Sequence, residues 1–121
     1  KILFGTEQFD VSGWYDAVNS KYTPLLAGYY MFTAKVVIEP AFANKSVLVA
    51  LYKNGVGEKN VSDVHTASIN PAGGGGSTIA YANGSTDYFE VYFYHNFGVA
   101  TSDIDTAISS TFFQGHYLGS G

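Results

Sequence analysis

The apolar residues of this chain alternate in short blocks, and no stretch shows the 3.6-residue period of an amphipathic helix. Gly, Asn, Asp, Ser and Pro, which favour turns, separate the blocks. In the clearest block, Gly28 to Glu39, Tyr30 and Phe32 begin one face while Tyr29 and Met31 begin the other. Because both faces start apolar, we expect both to be covered there. The pattern predicts an all-β chain of about eight to ten short strands in two packed sheets.

The same alternation and the turn residues predict the other elements. Asn54-Gly55 indicates a tight hairpin, because both central residues of a type I′ turn need positive φ. The polar segment Glu58 to Ala67 is predicted as an edge strand, and Gly73–Gly76 as a flexible loop. Residues 96–108 are predicted to be mostly loop. Further strands are predicted at Ile2–Phe4 with an irregular continuation through Phe9, Trp14–Tyr15, Ser46–Lys53, Ser77–Ala82, Tyr88–His95 and Ser110–Leu118.

Composition excludes several classes of function. The chain has 121 residues, of which 46% are hydrophobic, so it can bury a core. We interpret it as one domain spanning 1–121 that is cut from a longer protein. Its net charge is −4 and it has no arginine, which argues against nucleic-acid binding and against anionic membrane surfaces. The absence of cysteine excludes disulfides and thiolate metal sites. No apolar run approaches the ~20 residues of a membrane span, so no membrane insertion is expected.

Several short motifs follow one another in a recognisable order. They are Gly13-Trp14-Tyr15-Asp16 with Tyr22-Thr23-Pro24, Ala27-Gly28-Tyr29-Tyr30-Met31-Phe32, Leu51-Tyr52-Lys53-Asn54-Gly55, Gly76-Ser77 through Asp87 with the alternating Phe89, Val91 and Phe93, and Thr111-Phe112-Phe113-Gln114-Gly115. In this order and spacing they resemble the C1q/TNF-like superfamily, specifically its C1q side. The resemblance covers nearly the whole chain.

The resemblance implies a ten-strand, two-sheet jelly-roll sandwich that assembles as a homotrimer around a three-fold axis. Carried over by position, Met31 and Phe113 would face that axis, with Tyr29 and Tyr117 near it. The sequence departs from the family by one extra residue near Asn83–Asp87 and another near the last strand. Either could shift the register by one and exchange inward and outward faces, which leaves Phe112 as the alternative to Phe113 at the axis.

The first part of the chain is similar to one kind of C1q-like domain in particular. Phe9-Asp10, followed by the motifs at 13–16, 22–24 and 27–30, resembles versions at the tips of bacteriophage fibres and other virion appendages. This resemblance implies a receptor-binding domain, virion-borne or extracellular, that attaches to a host-surface glycan or protein. Two alternatives remain open: an extracellular C1q-like recognition or signalling subunit, and a structural trimerisation cap.

One strand carries the candidate ligand-binding residues. If Phe89, Val91 and Phe93 face the core, the intervening side chains point outward; these are Tyr88, Glu90, Tyr92 and Tyr94, called here the tyrosine stripe. Tyrosine faces beside carboxylates suit the recognition of sugars or proteins. The alternative is a stripe covered by a neighbouring subunit, or ordinary sheet surface.

No motif indicates catalysis, so the sequence predicts a non-catalytic protein with no cofactor. Nothing resembles a Gly-x-Ser-x-Gly elbow or a phosphate-binding loop. A carboxylate pair of Glu90 with Asp87 or Asp63 could be proposed for glycoside hydrolysis, but a strand glutamate between tyrosines is expected to be a surface group. The three histidines lack metal-motif spacing. Asp103 and Asp105 are weak candidates for calcium, which prefers oxygen ligands.

Overall fold

The computed structural model describes residues 1–7, 10–39, 45–66, 72–96, 103–104 and 110–121. Across these ranges there is no helix, and nine strands form two antiparallel sheets, which confirms the prediction of an all-β chain with two sheets. The strands are β1 Tyr15–Asp16, β2 Lys21–Tyr22, β3 Gly28–Glu39, β4 Ser46–Lys53, β5 Val56–His65, β6 Ala72–Ala82, β7 Phe89–His95, β8 Asp103–Ile104 and β9 Phe112–Gly119.

The chain passes repeatedly from one sheet to the other. The first sheet has the strand order β1-β2-β7-β4-β5, and the second has β3 at its centre. β6 pairs with one edge of β3, while β9 and the short β8 pair with the other edge. The connections β3–β4, β5–β6 and β6–β7 therefore cross between the sheets, as in jelly-roll-like sandwiches.

The core lies between the two sheets and follows the alternation of the sequence. On β3, every second residue from Tyr30 to Ile38 is buried. They pack against buried residues of β4 and β7, and the rings of Phe32 and Phe89 have centroids 4.4 Å apart. Burying a side chain of this size stabilises a fold by about 1.5–3 kcal/mol, so this interface is the main source of stability.

The predicted hairpin at Asn54-Gly55 is confirmed, with positive φ at both residues (53° and 80°). A carboxylate anchors it to the turn before β7. Asp87 is only 7% exposed and accepts hydrogen bonds from Asn54 Nδ2 (2.8 Å) and from the Asn83 backbone N–H (2.9 Å), and Lys53 Nζ lies 3.1 Å from its Oδ2. Burial opposes ionisation, but the hydrogen bonds outweigh it and hold the pKa of Asp87 below its ordinary value.

This lowered pKa makes stability depend on pH. Because the folded state favours the ionised form, Asp87 contributes stability above its unfolded pKa, and that contribution is lost as pH falls through the lower folded pKa. We expect Asp87→Asn to cost about 2 kcal/mol in free energy of unfolding at pH 7. Urea unfolding from pH 7 down to pH 2 measures the difference between the two proteins, which should shrink below about pH 4. A difference independent of pH would contradict the role of the charge.

The structure corrects the prediction of a flexible loop at the glycine run. Gly73–Gly76 was expected to form a flexible loop, but it lies inside β6, fully paired with β3. Gly74 and Gly76 pair with Val36 and Ala34, so they face the core. A Cβ at Gly76 would collide with the Val61 carbonyl oxygen, and a Cβ at Gly74 with the Ser62 hydroxyl. The glycines therefore let β5, at the edge of the first sheet, close against β6, at the edge of the second.

The amino-terminal segment also differs from expectation. Ile2–Phe4 is not a regular strand, and Phe9 lies outside the described residues. The segment still follows the edge of β7: the Ile2 backbone N–H donates to the Val91 carbonyl (2.9 Å), and the Ile2 side chain is buried in the core. The predicted loop 96–108 contains the two-residue strand β8, and β5 lies at a sheet edge as predicted.

Candidate functional site

The tyrosine stripe lies on the outer face of the first sheet. Phe89 and Val91 are buried, so the intervening residues of β7 face away from the core. Tyr94 is the most open member, at 59% exposed, and Tyr92 is half-buried. Tyr88 precedes the strand, with Lys21 Nζ 5.0 Å from the centre of its ring. The geometry brings three tyrosines to one surface, as the alternation of β7 predicts.

Glu90 departs from the expectation of an exposed surface group. It is only 6% exposed, and its Oε2 lies 2.6 Å from Lys1 Nζ. The same ammonium group donates to the Asn19 carbonyl oxygen (2.7 Å), and the hydrogen bond to Glu90 raises the pKa of Lys1. Lys1 therefore covers the carboxylate and neutralises it, and Glu90 serves to hold the amino-terminal segment on the sheet.

A tyrosine outside the stripe completes this surface. Tyr52 of β4 stacks on Tyr92, with ring centroids 3.9 Å apart and planes 17° apart. Tyr52 pairs with Glu90 in the sheet, so it shares the outer face with the stripe. Alternation along β4, where Val47, Val49 and Leu51 are buried, would have indicated its outward position from the sequence. The stacked pair lies beside the exposed Tyr94 ring, and we call these three residues, Tyr52, Tyr92 and Tyr94, the tyrosine platform.

A second surface lies on the outer face of the other sheet. Tyr29 pairs with Tyr81 and Met31 pairs with Ile79, forming a square of four large side chains that we call the outer patch. All four are substantially exposed, from 38% for Met31 to 54% for Ile79, and none carries a charge. The rings of Tyr29 and Tyr81 meet edge to face at 5.4 Å. A contiguous apolar patch of this kind marks an interaction surface.

The outer patch contains only two of the four residues predicted near a trimer axis. Phe113 pairs with the buried Ala34 and packs on the core, with its ring centroid 5.8 Å from that of Phe32. Tyr117 pairs with the buried Tyr30, at 5.2 Å between ring centroids. Phe113 and Tyr117 thus lie on the opposite face from Met31 and Tyr29. The sheet register thus divides the four residues between two faces, and their position around a three-fold axis remains a prediction.

The alternative residue Phe112 lies on the face of the outer patch. It pairs with Lys35, whose side chain is exposed, while its neighbour Phe113 points inward. His116 pairs with Met31 and is exposed beside the patch. The register of β9 therefore gives Phe112 and His116, rather than Phe113 and Tyr117, to the outer surface.

The residues of the weaker predicted sites have different surroundings. Asp87 and Glu90 each bind a lysine, and Asp63 lies on the edge strand β5. Asp103 belongs to β8, and Asp105 lies outside the described residues. Within the described ranges, no three His, Asp or Glu side chains group together in a way that could hold a metal ion. In the same ranges, no helix is long and apolar enough to span a membrane.

Comparison with known proteins gives no further constraint. No protein-family model matches the chain, and no curated protein matches its sequence.

Proposed function

We propose that this chain is a non-catalytic, homotrimeric recognition domain, which attaches to a host-surface molecule at the tip of a viral fibre or appendage. In this proposal the domain is a C1q-like, ten-strand jelly roll that is virion-borne or extracellular. The chain crossings between its two sheets support the jelly-roll assignment. The motif order along the sequence supports the C1q-like type.

The outer patch is the observation that carries the proposal. Four uncharged side chains, Tyr29, Met31, Ile79 and Tyr81, lie exposed on one sheet face. A second copy of this chain is the partner that suits them, because the four side chains are uncharged and the Lys53 ammonium group 6.0 Å from the Tyr81 ring is neutralised by Asp87. The side chains are also of the kinds enriched in interfaces, with two tyrosines and the single methionine of the chain.

The tyrosine platform gives the trimer a surface for recognition. Tyr52, Tyr92 and Tyr94 lie on the sheet opposite to the outer patch, so assembly through the patch leaves them open to solvent. Flat aromatic rings with hydroxyl groups bind sugars and protein surfaces at little cost in side-chain entropy. Three such surfaces on one rigid trimer would gain avidity from simultaneous binding, so each site can be weak.

Substitution of Tyr92 tests the platform. We expect Tyr92→Ala to weaken cell binding by about tenfold or more, since it removes one ring and unstacks Tyr52, while the solution mass stays unchanged. Tyr92→Phe is the matched control, because it keeps the stacked ring and removes only the hydroxyl group. Binding of labelled protein to host cells measures the effect, and unchanged binding by Tyr92→Ala would reject the platform as the attachment site.

A further inference from the structure

A cleft of about 270 Å³ separates the amino-terminal segment from β9. Aromatic rings of Phe4, Tyr15, Tyr22 and Phe113 form much of its lining. Contacts with other aromatic rings fix their positions. The ring centroids of Phe4 and Phe113 are 6.0 Å apart, and Tyr22 packs edge-on against Phe32 at 6.0 Å between centroids. The Tyr15 hydroxyl donates to the Phe4 carbonyl oxygen (2.7 Å). The aromatic walls therefore belong to the packed core and are already formed without a ligand.

The floor of the cleft depends on Gly115. A Cβ at this position would lie 3.1 Å from the Phe32 ring and 3.4 Å from the Tyr22 ring. Glycine thus lets the backbone of β9 pass close to the two rings, and both Gly115 and Tyr22 line the cleft.

The charged side chains that line the cleft are acidic. Glu7 and Asp10 both contribute to its lining, and no lysine or histidine of the described residues does. The two deeply buried carboxylates elsewhere in the described ranges, Glu90 and Asp87, each have a lysine within 3.1 Å. Asp10 accepts a hydrogen bond from the Tyr15 backbone N–H (2.6 Å), but no ion pair of the described residues reaches Asp10 or Glu7.

Two phenols in the cleft are affected by this environment. Burial, with the neighbouring Tyr30 phenol and Asp10 carboxylate, raises the pKa of Tyr22 to about 12. Burial also raises the pKa of Tyr15, and the carboxylates of Asp16 and Glu7 act in the same direction. Both phenols therefore stay neutral at physiological pH, so Glu7 and Asp10 supply the negative charge of the cleft lining.

We propose that this cleft binds an organic ammonium group carried on an apolar stem, as in the side chain of an exposed lysine on the attached protein. The apolar stem would pack against the aromatic walls. The ammonium group would be the cationic partner of the Glu7 and Asp10 carboxylates. Anionic ligands are disfavoured because they would meet two carboxylates without a cation. The inference gives a ligand chemistry to the proposed recognition function and rests on that function for its biological setting.

Titration of the domain with small amines tests the proposal. The probe is Nα-acetyl-lysine amide, and the matched neutral control is Nα-acetyl-norleucine amide, which has a similar stem without the charge. Tetramethylammonium chloride tests whether the charge binds without the stem. We expect the lysine probe to shift the NMR signals of Tyr15 and Tyr22 saturably and the norleucine probe to bind at least about tenfold more weakly, because it lacks the Coulomb and cation–π contributions.

Charge-neutral variants locate the binding. We expect Glu7→Gln combined with Asp10→Asn to weaken the lysine probe by about tenfold or more, and salt near 0.5 M to weaken it severalfold. Both substitutions keep a hydrogen-bond acceptor, so the Tyr15 N–H retains its partner. Glu58→Gln is the matched control: this residue is exposed on β5 and does not line the cleft.

The outcomes separate this inference from the proposed assembly. Equal binding of the lysine and norleucine probes, binding unaffected by the double variant, or no saturable shift with the lysine probe would each overturn the ammonium site. Light scattering on the same samples reports the mass independently. A monomer that binds the lysine probe would support the ammonium site and contradict the trimer. A trimer that does not bind the probe would support the trimer and overturn the ammonium site.

Discussion

Replacing Met31 by lysine is expected to dissociate the proposed trimer into monomers. Met31 is one of the four uncharged side chains of the outer patch, so in the proposed trimer its replacement would place three like charges together at the interface. Each buried and unpaired ammonium group costs about 3–5 kcal/mol, which exceeds what the remaining contacts of a small interface can offset. Light scattering should show the mass falling to that of one chain, with the circular dichroism spectrum retained.

A matched substitution outside the patch controls for the added charge. Val56 is also apolar and is 70% exposed, but it begins β5 in the other sheet. We expect Val56→Lys to leave the assembled mass unchanged. If Met31→Lys forms a trimer as stable as the original protein, Met31 does not face the axis and the outer patch is not the interface.

Replacing Gly76 by alanine is expected to lower the free energy of unfolding by about 3 kcal/mol, at the upper end of the cost of overpacking. The added Cβ would meet the backbone carbonyl of Val61, which cannot rotate away as a side chain can. Either β5 or β6 must shift, and the two sheets would then separate where these edge strands meet. For a chain of this length, the change corresponds to a loss of about 10 °C in Tm.

Gly5→Ala is the matched control for that substitution. A Cβ at Gly5 meets no atom of the described residues within 4 Å, so we expect no more than about 0.5 kcal/mol of change. Thermal and urea unfolding of both variants measures the difference. A Gly76→Ala protein as stable as Gly5→Ala would show that β5 and β6 do not approach as closely as the structure places them.

The alternating strands could be predicted from sequence because their side chains report which face is buried. β3 and β4 have the predicted bounds, and Asn54-Gly55 forms the predicted turn. The glycine strand could not be predicted in the same way. Four residues without side chains carry no periodicity. The need for glycine comes from β5 at Gly74 and Gly76 and from β3 at Gly73 and Gly75, and both strands are distant in sequence.

The surroundings of the candidate site residues could not be predicted from local sequence, because they depend on strand register and on distant partners. The faces of β9 depend on its register against the distant strand β3, and a shift of one residue would exchange Phe112 with Phe113. The burial of Glu90 depends on Lys1, which is 89 residues away along the chain. The cleft is formed by the first residues and the last strand, so no local motif could indicate it.

The proposal of a homotrimeric recognition domain is tested most directly by the solution mass of the unmodified domain. Light scattering over a range of concentrations should give a stable mass near three times the 13.0 kDa of one chain. That result would support assembly through the outer patch and would direct the search for attachment to the tyrosine platform and the cleft. A monomer at every concentration would contradict the proposal and would favour a monomeric binding module.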